Sequence, residues 1–170
     1  FGHFNAYYQL AQTVNFSQTD LICDLAEIHS QGLEILMLPY YEALFGADNF
    51  QWAQLYTLDG LLYSITSGCL IAEFEQRIYE NPTMTSTQME QLIADLEKQY
   101  HLLNSGFSKN WTETTHLFET PGYYISYATS AFSAWEIWAE SQKDMQQAVQ
   151  IYEDLLTKSI DNYLDVLKTI

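Results

Sequence analysis

The sequence has 170 residues, and its 48% hydrophobic and 15% aromatic content excludes a disordered chain. Twenty-two acidic residues against six basic ones give a net charge of −16, which argues against binding to nucleic acid or to an anionic membrane surface. No unbroken apolar run approaches the ~18 residues of a membrane span. We therefore expect a single helical domain over residues 1–170 that contacts neither nucleic acid nor membrane.

The helices are predicted from apolar residues that recur at intervals of three and four, while no segment shows sustained strand-like alternation. A short helix over residues 1–11 is followed by a polar stretch at 13–19. A second helix begins near Asp20, a good N-cap type, and runs towards Phe45. Pro39 should break it, because proline lacks a backbone donor and clashes with the preceding turn. The fold class is therefore all-α.

The second half of the sequence continues the same pattern. A long helix is predicted over 49–80, and the capping-box spacing of Thr87 to Glu90 opens another helix to about 103. Residues 104–115 form a polar connection with Trp111 as an apolar anchor. A tyrosine-rich helix begins near 121–122 and runs to about 140. Two final helices over 144–157 and 159–168 complete the prediction.

Two cysteines, Cys23 and Cys69, lie within apolar helical patterns. Two thiols do not make a disulfide framework, so we interpret both as reduced and buried. No charged-then-apolar signal segment opens the sequence. These features predict a protein of a reducing compartment, and we assign it to the cytoplasm.

An acidic stripe is the most informative local feature. Asp24, Glu27, Gln31 and Glu34 follow one another at steps of three, four and three, so they project from one side of the second helix. The stripe is either a solvated helix face or the surroundings of a cation, because residues 20–45 contain no Lys or Arg. His3 is likewise either a packing residue or a metal ligand. Serine and cysteine catalysis have no supporting motif.

Two short motifs carry a resemblance to a known family. The sequence opens with Phe1-Gly2-His3, and residues 27–34 read Glu-Ile-His-Ser-Gln-Gly-Leu-Glu. They resemble the thimet oligopeptidase and oligoendopeptidase F family of zinc metallopeptidases, whose zinc helix reads His-Glu-Phe-Gly-His and whose third ligand is the first Glu of Glu-x-x-Ser-Gln-x-x-Glu. Glu27 follows His3 by 27 − 3 = 24 positions, which suits the spacing in that family.

Further segments extend the resemblance over nearly the whole chain. Residues 38–41 (Leu-Pro-Tyr-Tyr), 74–75 (Phe-Glu) and 79–82 (Tyr-Glu-Asn-Pro) are similar to the oligoendopeptidase F branch. Residues 116–127, His-Leu-Phe-Glu-Thr-Pro-Gly-Tyr-Tyr-Ile-Ser-Tyr, resemble the substrate loop of the family. The motifs occur in the order that the family has them.

The resemblance implies a zinc endopeptidase that acts on short peptides. It implies His3 and Glu27 as two of the three zinc ligands, with Asp24 and Glu34 behind them to orient a ligand or balance charge. It further implies that His116 and either Tyr124 or Tyr127 stabilise the oxyanion, Tyr127 being favoured as the donor nearest the metal. Gly122 and Tyr123 are then substrate-binding residues. His29 and His101 receive no role.

One departure from the family limits what this chain should do. The His-Glu pair that the family has before Phe-Gly-His would precede Phe1, and it contains the first zinc ligand and the general base. We therefore interpret the sequence as the C-terminal part of a catalytic domain, inactive by itself and binding zinc weakly or not at all. We expect its exposed apolar surfaces to meet the missing N-terminal part, or a second copy.

Two other functions are compatible with parts of the sequence. The first is a non-catalytic helical interaction module of peptidase-like ancestry. The second is a carboxylate-bridged metal protein, which needs Glu-x-x-His pairs on two helices. The only such pair, Glu113 with His116, lies in a segment predicted as a connection, so this function is disfavoured.

Overall fold

The computed structural model describes residues 1–12, 23–103, 105–157 and 168, and every regular element in those ranges is helical. The all-α prediction is therefore confirmed. The elements are α1 (Gly2–Gln12), α2 (Cys23–Met37), a 3₁₀ turn (Leu38–Tyr40), α3 (Tyr41–Phe45), α4 (Phe50–Glu80), α5 (Ser86–Gln99), α6 (Phe107–Asn110), a second 3₁₀ turn (Trp111–Glu113), α7 (His116–Glu119), α8 (Ile125–Ser141) and α9 (Met145–Thr157).

Several sequence predictions concern residues outside these ranges. The polar stretch at 13–19, the start of the second helix near Asp20 and the final helix over 159–168 are among them. The single described residue within that last segment, Lys168, lies in a turn.

Internal contacts divide the chain into two compact units. The first contains Phe1–Leu62 and Thr129–Ile170, and the second contains Tyr63–Ala128. The single domain over residues 1–170 stays a prediction.

Both cysteines, Cys23 and Cys69, are free thiols. Each is half-buried, whereas we predicted that both are buried.

The core of the first unit lies between α2, α8 and α9, while α1 packs against α2 and α9. Its apolar side chains follow the helical intervals of three and four along α2 and α9, so each helix turns one stripe inwards. The cluster contains Leu25, Ile28, Leu36, Ile137, Ala148, Ile151, Tyr152 and Leu155. The Tyr152 hydroxyl donates to the backbone oxygen of His29 at 2.8 Å, which ties α9 to α2.

Pro39 ends α2 as predicted. The chain leaves the α-helix at Met37 and continues through the 3₁₀ turn that contains Pro39. The Gln54 side chain donates to the Leu38 backbone oxygen at 2.9 Å, so a carbonyl at this break is satisfied by α4. Gly46, with φ of 79°, then ends α3.

The core of the second unit is built from α4, α5 and α7. It contains Leu70, Ile71, Phe74, Ile93, Leu96 and Leu117. The Trp111 ring packs edge-on against Phe74 at a centroid distance of 5.5 Å, which confirms Trp111 as an apolar anchor. The segment around it contains α6 and a 3₁₀ turn, so it is not the plain polar connection that we predicted.

The ends of α5 differ from the prediction. Thr85 is the N-cap, and its capping box uses Gln88 rather than the Thr87 and Glu90 pair. The helix ends at Gln99 and not near 103, because His101 adopts a left-handed φ of 57°. The amide of His101 bonds to the Lys98 oxygen and that of Leu102 to the Glu97 oxygen. This is a Schellman motif with histidine at the position that glycine usually takes.

Buried Glu97 fixes the connection from α5 to α6. It accepts hydrogen bonds from Ser105 Oγ at 2.5 Å and from the Ser108 amide at 3.2 Å. Burial alone would raise the pKa of the Glu97 carboxyl, but these hydrogen bonds outweigh it, and the pKa is lowered from 4.5. Because the folded-state pKa is depressed, this stabilisation is present above the unfolded value and is lost as the pH falls through the folded value.

Glu97→Gln should therefore lower the free energy of unfolding by about 1–2 kcal/mol at pH 7, since a charged acceptor is replaced by a neutral one. Urea unfolding at several pH values measures the difference. We expect the difference to shrink below about pH 4.5, where Glu97 is increasingly protonated in the unfolded chain. A difference that stayed constant from pH 7 to pH 3 would contradict this assignment.

Helix α4 is long and apolar enough to cross a membrane by length and composition. The sequence contains no unbroken apolar run of that length, because polar residues, including the charged Asp59 and Glu73, interrupt the apolar residues of α4. The core helix of a soluble protein passes the same test when it is mostly buried, whereas 28% of the apolar window of α4 is buried. The absence of membrane contact stays a prediction.

Candidate functional site

A close crossing of α1 over α2 brings His3 and Glu27 together. Gly2 is buried at this crossing, and a Cβ on it would lie 2.3 Å from the His29 carbonyl oxygen and 2.5 Å from Ser30 Cα. Distances under 3.0 Å from backbone atoms cannot be relieved by rotating a side chain. The crossing therefore requires glycine at position 2, where it sets the position of the next residue, His3.

The donor atoms of His3 and Glu27 face each other. His3 Nε2 lies 3.7 Å from Glu27 Oε2, which is longer than a hydrogen bond. Two ligands on one tetrahedral zinc, each about 2.1 Å from it, are separated by about 3.4 Å. The observed separation is close to that value, so the pair fits two coordination positions of one zinc ion.

Glu27 is buried while His3 is half exposed, with side-chain exposures of 5% and 49%. Ser30 Oγ lies 3.1 Å from both Glu27 Oε2 and the Glu27 backbone oxygen, so one turn of α2 orients the carboxylate. The solvated-face alternative therefore does not describe Glu27. Within the described residues, no group of three His, Cys, Asp or Glu side chains is positioned to hold a metal.

The other residues of the stripe differ in their surroundings: Asp24 and Gln31 bond to α8, and Glu34 is exposed. Thr129 Oγ1 donates to Asp24 Oδ1, and Ser130 Oγ donates to Gln31 Oε1 at 3.1 Å in a buried contact. These bonds join α2 to α8 inside the first unit. The Glu34 residue, in contrast, is exposed. Partial loss of hydration at its carboxyl raises the pKa of Glu34, and the charge of Glu27 raises it further by a smaller amount.

His29 is completely buried, although the sequence indicated no role for it. Its ring meets Tyr152 edge-on at 6.0 Å, and neither ring nitrogen has a hydrogen-bond partner within the described part of the chain. Burial lowers the pKa of His29 to about 4, and the nearby His3 ring makes a smaller contribution in the same direction. His29 is therefore neutral at physiological pH and packs between α2 and α9.

The second unit holds an aromatic cluster around His116. This histidine begins the short helix α7, and its ring lies 5.1, 5.6 and 5.8 Å from those of Tyr123, Tyr124 and Tyr127. Tyr127 OH is 3.4 Å from His116 Nε2. Burial raises the pKa of the Tyr124 phenol, and the nearby Tyr63 raises it further by a smaller amount. The phenol of Tyr124 therefore stays protonated and can donate a hydrogen bond.

A tight turn joins His116 to the tyrosines. The Tyr123 amide bonds to the Thr120 oxygen at 3.1 Å, and Gly122 has φ of 81°. Pro121 and Gly122 occupy the two central positions that a type II turn favours for these residues. The Gly122 amide donates to Glu75 Oε1 at 2.9 Å, and Glu75 is buried on α4.

Glu75 is the residue that the sequence did not identify. It appeared only within the Phe-Glu pair that carries part of the resemblance, and no role was assigned to it. The available signal was an acid directly after Phe74 and one turn after Ile71, two apolar residues of α4, because a buried acid without a partner is costly. That signal predicts some partner, but it does not identify Gly122, which is 47 positions away.

Comparison with known proteins supports the fold. No family model matches the sequence, and no curated protein matches it. Among solved structures, PZ peptidase A with an inhibitor is similar, with a TM-score of 0.85 and 23% identity, over 99% of this chain. The chain spans only 31% of the length of that peptidase chain.

Proposed function

We propose that this chain is part of a zinc-dependent endopeptidase that hydrolyses short peptides. The carrying observation is the 3.7 Å separation of His3 Nε2 and Glu27 Oε2 at a crossing that only glycine permits. The ordered motifs of the sequence and the peptidase fold support the same function. Assignment to the oligoendopeptidase F branch and to the cytoplasm is part of this proposal and rests on the sequence.

His3 and Glu27 would hold the zinc. A bound zinc lowers the pKa of a water molecule and polarises a peptide carbonyl. His3 binds through a neutral imidazole nitrogen, and the Ser30 hydroxyl beside Glu27 keeps its carboxylate in one orientation. Asp24 acts indirectly, since its bond to Thr129 holds α2 against α8.

The aromatic cluster would supply the hydrogen-bond donors of the peptidase. His116, Tyr124 and Tyr127 can each donate a hydrogen bond, and such donors suit a carbonyl oxygen that gains negative charge. Gly122 and Tyr123 belong to the turn that positions this cluster, and we propose that they contact the peptide backbone. Packing of the rings against one another limits their rotation, so the donors are held in position before substrate binds.

The chain by itself should not turn over peptides. A peptidase zinc site takes three protein ligands, and the described residues bring together only two. Chelator-sensitive cleavage of a peptide by this chain alone would contradict the inactivity. The alternative function, a non-catalytic helical module, is favoured by the same lack of a third ligand among the described residues.

Zinc titration of the chain tests the proposed site. We expect weak binding that His3→Ala and Glu27→Gln each reduce about tenfold or more, since each removes one ligand. Isothermal titration calorimetry measures the affinity directly. His101→Asn and Glu90→Gln are matched controls, because both residues are exposed and lie in the second unit. Equal affinity in all four variants would contradict the assignment and favour the non-catalytic module.

Helix α1 exposes a row of aromatic side chains. The exposed residues are Phe1, Phe4, Tyr7 and Tyr8. We propose that the remainder of a longer protein covers this surface, and that the isolated chain uses it to self-associate, because large bare apolar surfaces seldom stay in water. Sedimentation velocity should show species larger than a monomer, and a clean monomer over a wide concentration range would contradict the self-association.

A further inference from the structure

A cavity of about 310 Å³ opens next to the His3 and Glu27 pair. Its apolar walls come from α2 and α3, and they include Leu33, Met37, Tyr41, Leu44 and Phe45. The rings of Tyr41 and Phe45 pack edge-on at 5.0 Å, which makes one wall rigid. Ser30, whose hydroxyl contacts Glu27, also lines the cavity, so the cavity adjoins the proposed metal ligands.

Glu34 contributes the one carboxylate that lines the cavity, whose lining also includes Tyr41 and the first residue, Phe1. No hydrogen bond or ion pair to its carboxylate is formed by the described residues. The sequence contains no Lys or Arg before Arg77, so no Lys or Arg of residues 1–62 can pair with Glu34. An acid in an apolar cavity that no Lys or Arg side chain lines is complementary to a cation from outside.

We propose that this cavity binds a cationic side chain with an apolar stem, such as an arginine of a peptide. The stem would lie along the Leu33 and Met37 walls while the guanidinium pairs with Glu34, as long basic side chains bury their stems and leave the head polar. The volume lies at the lower end for ligand pockets, which suits one side chain rather than a folded partner. The proposal rests on the proposed function, and it implies a preference for peptides with a basic residue next to the cleaved bond.

The electrostatics of the site agree with this assignment. Glu34 is exposed, so a ligand can reach its carboxylate without opening the fold. Glu27 lies near enough to disfavour the Glu34 anion. A bound cation relieves that repulsion, and a neutral ligand of the same shape does not. The arginine probe should therefore bind more tightly than its uncharged isostere.

The experiment compares two small probes on the intact chain. N-acetyl-arginine methylamide and its uncharged isostere N-acetyl-citrulline methylamide are titrated by NMR, at 0.15 M salt and with a chelator present. We expect the arginine probe to bind about fivefold more tightly, the upper range for a partly exposed ion pair. Equal binding of the two probes would overturn the proposal.

Two variants locate the effect. Glu34→Gln should abolish the preference for arginine, whereas Glu42→Gln, an exposed glutamate of α3 outside the cavity lining, should retain it. Both variants remove one negative charge. If both lost the preference for the arginine probe equally, that preference would come from the overall charge of the chain, and the proposal would be overturned. Leu44→Ala should weaken both probes alike by trimming an apolar wall, and an unchanged affinity in that variant would also contradict the cavity.

Zinc titrations of the same samples separate this inference from the proposed function. Glu34→Gln should lower the zinc affinity far less than Glu27→Gln does, and His3→Ala should leave the arginine preference unchanged. Loss of the arginine preference with normal zinc binding would overturn the cavity assignment alone. Arginine preference in a chain whose zinc binding is unaffected by His3→Ala and Glu27→Gln would support the cavity and contradict the metal site.

Discussion

Gly2→Ala is expected to lower the free energy of unfolding by about 1–3 kcal/mol and to abolish measurable zinc binding. The new methyl group would overlap the His29 carbonyl and Ser30 Cα, both of which are backbone atoms of α2. Because they cannot rotate away, α1 has to move, and His3 moves with it away from Glu27. Urea unfolding and zinc titration of the same variant measure both effects.

Gly60→Ala is the matched control for this substitution. Gly60 lies within α4, and a Cβ added to it would meet nothing within 4 Å. Alanine favours a helix over glycine, so this variant should gain up to about 1 kcal/mol. A Gly2→Ala variant that equals the wild-type protein in stability and zinc binding would show that α1 does not cross α2 as closely as described.

Glu75→Ala should produce the second large effect, a loss of about 2–3 kcal/mol of stability with loosening of the aromatic cluster. The substitution removes the charged acceptor of the Gly122 amide and leaves a cavity beside α4. Since Gly122 lies in the turn between His116 and the tyrosines, the ring positions depend on this bond. In NMR spectra the Gly122 amide and the rings of Tyr123, Tyr124 and Tyr127 should shift together.

A conservative variant of Glu75 distinguishes a specific loss of the contact with the Gly122 amide from a general loss of stability. Glu75→Gln keeps an oxygen that can accept from Gly122, so it should restore most of the tyrosine spectrum. Glu80→Ala is the control, because Glu80 is exposed on the same helix and accepts only a surface contact from Gln76. If Glu75→Gln disturbed the cluster as much as Glu75→Ala, the contact with Gly122 would not be the cause.

Local signals in the sequence were sufficient for most of the long helices, but not for α6 and α7, and they placed the start of α8 near residues 121–122 rather than at Ile125. The spacing of apolar residues predicted the first and last residues of α1, α4 and α9 to within about two positions. Pro39 marked the end of α2. Helix caps were less certain, because Thr85 with Gln88 and Thr87 with Glu90 have the same spacing. The end of α5 was missed, since the left-handed position that closes it holds histidine and not the glycine that usually marks a helix end.

The sequence by itself determined the helical class, the break at Pro39 and the candidate ligands His3 and Glu27, because these depend on neighbouring residues or on a motif. Only the tertiary structure decided that His3 and Glu27 face each other, that Gly2 is the contact point of two helices, and that Glu75 holds Gly122. Each of these depends on the approach of segments that are distant along the chain. Periodicity describes which side of a helix is apolar, whereas packing decides which partner that side meets.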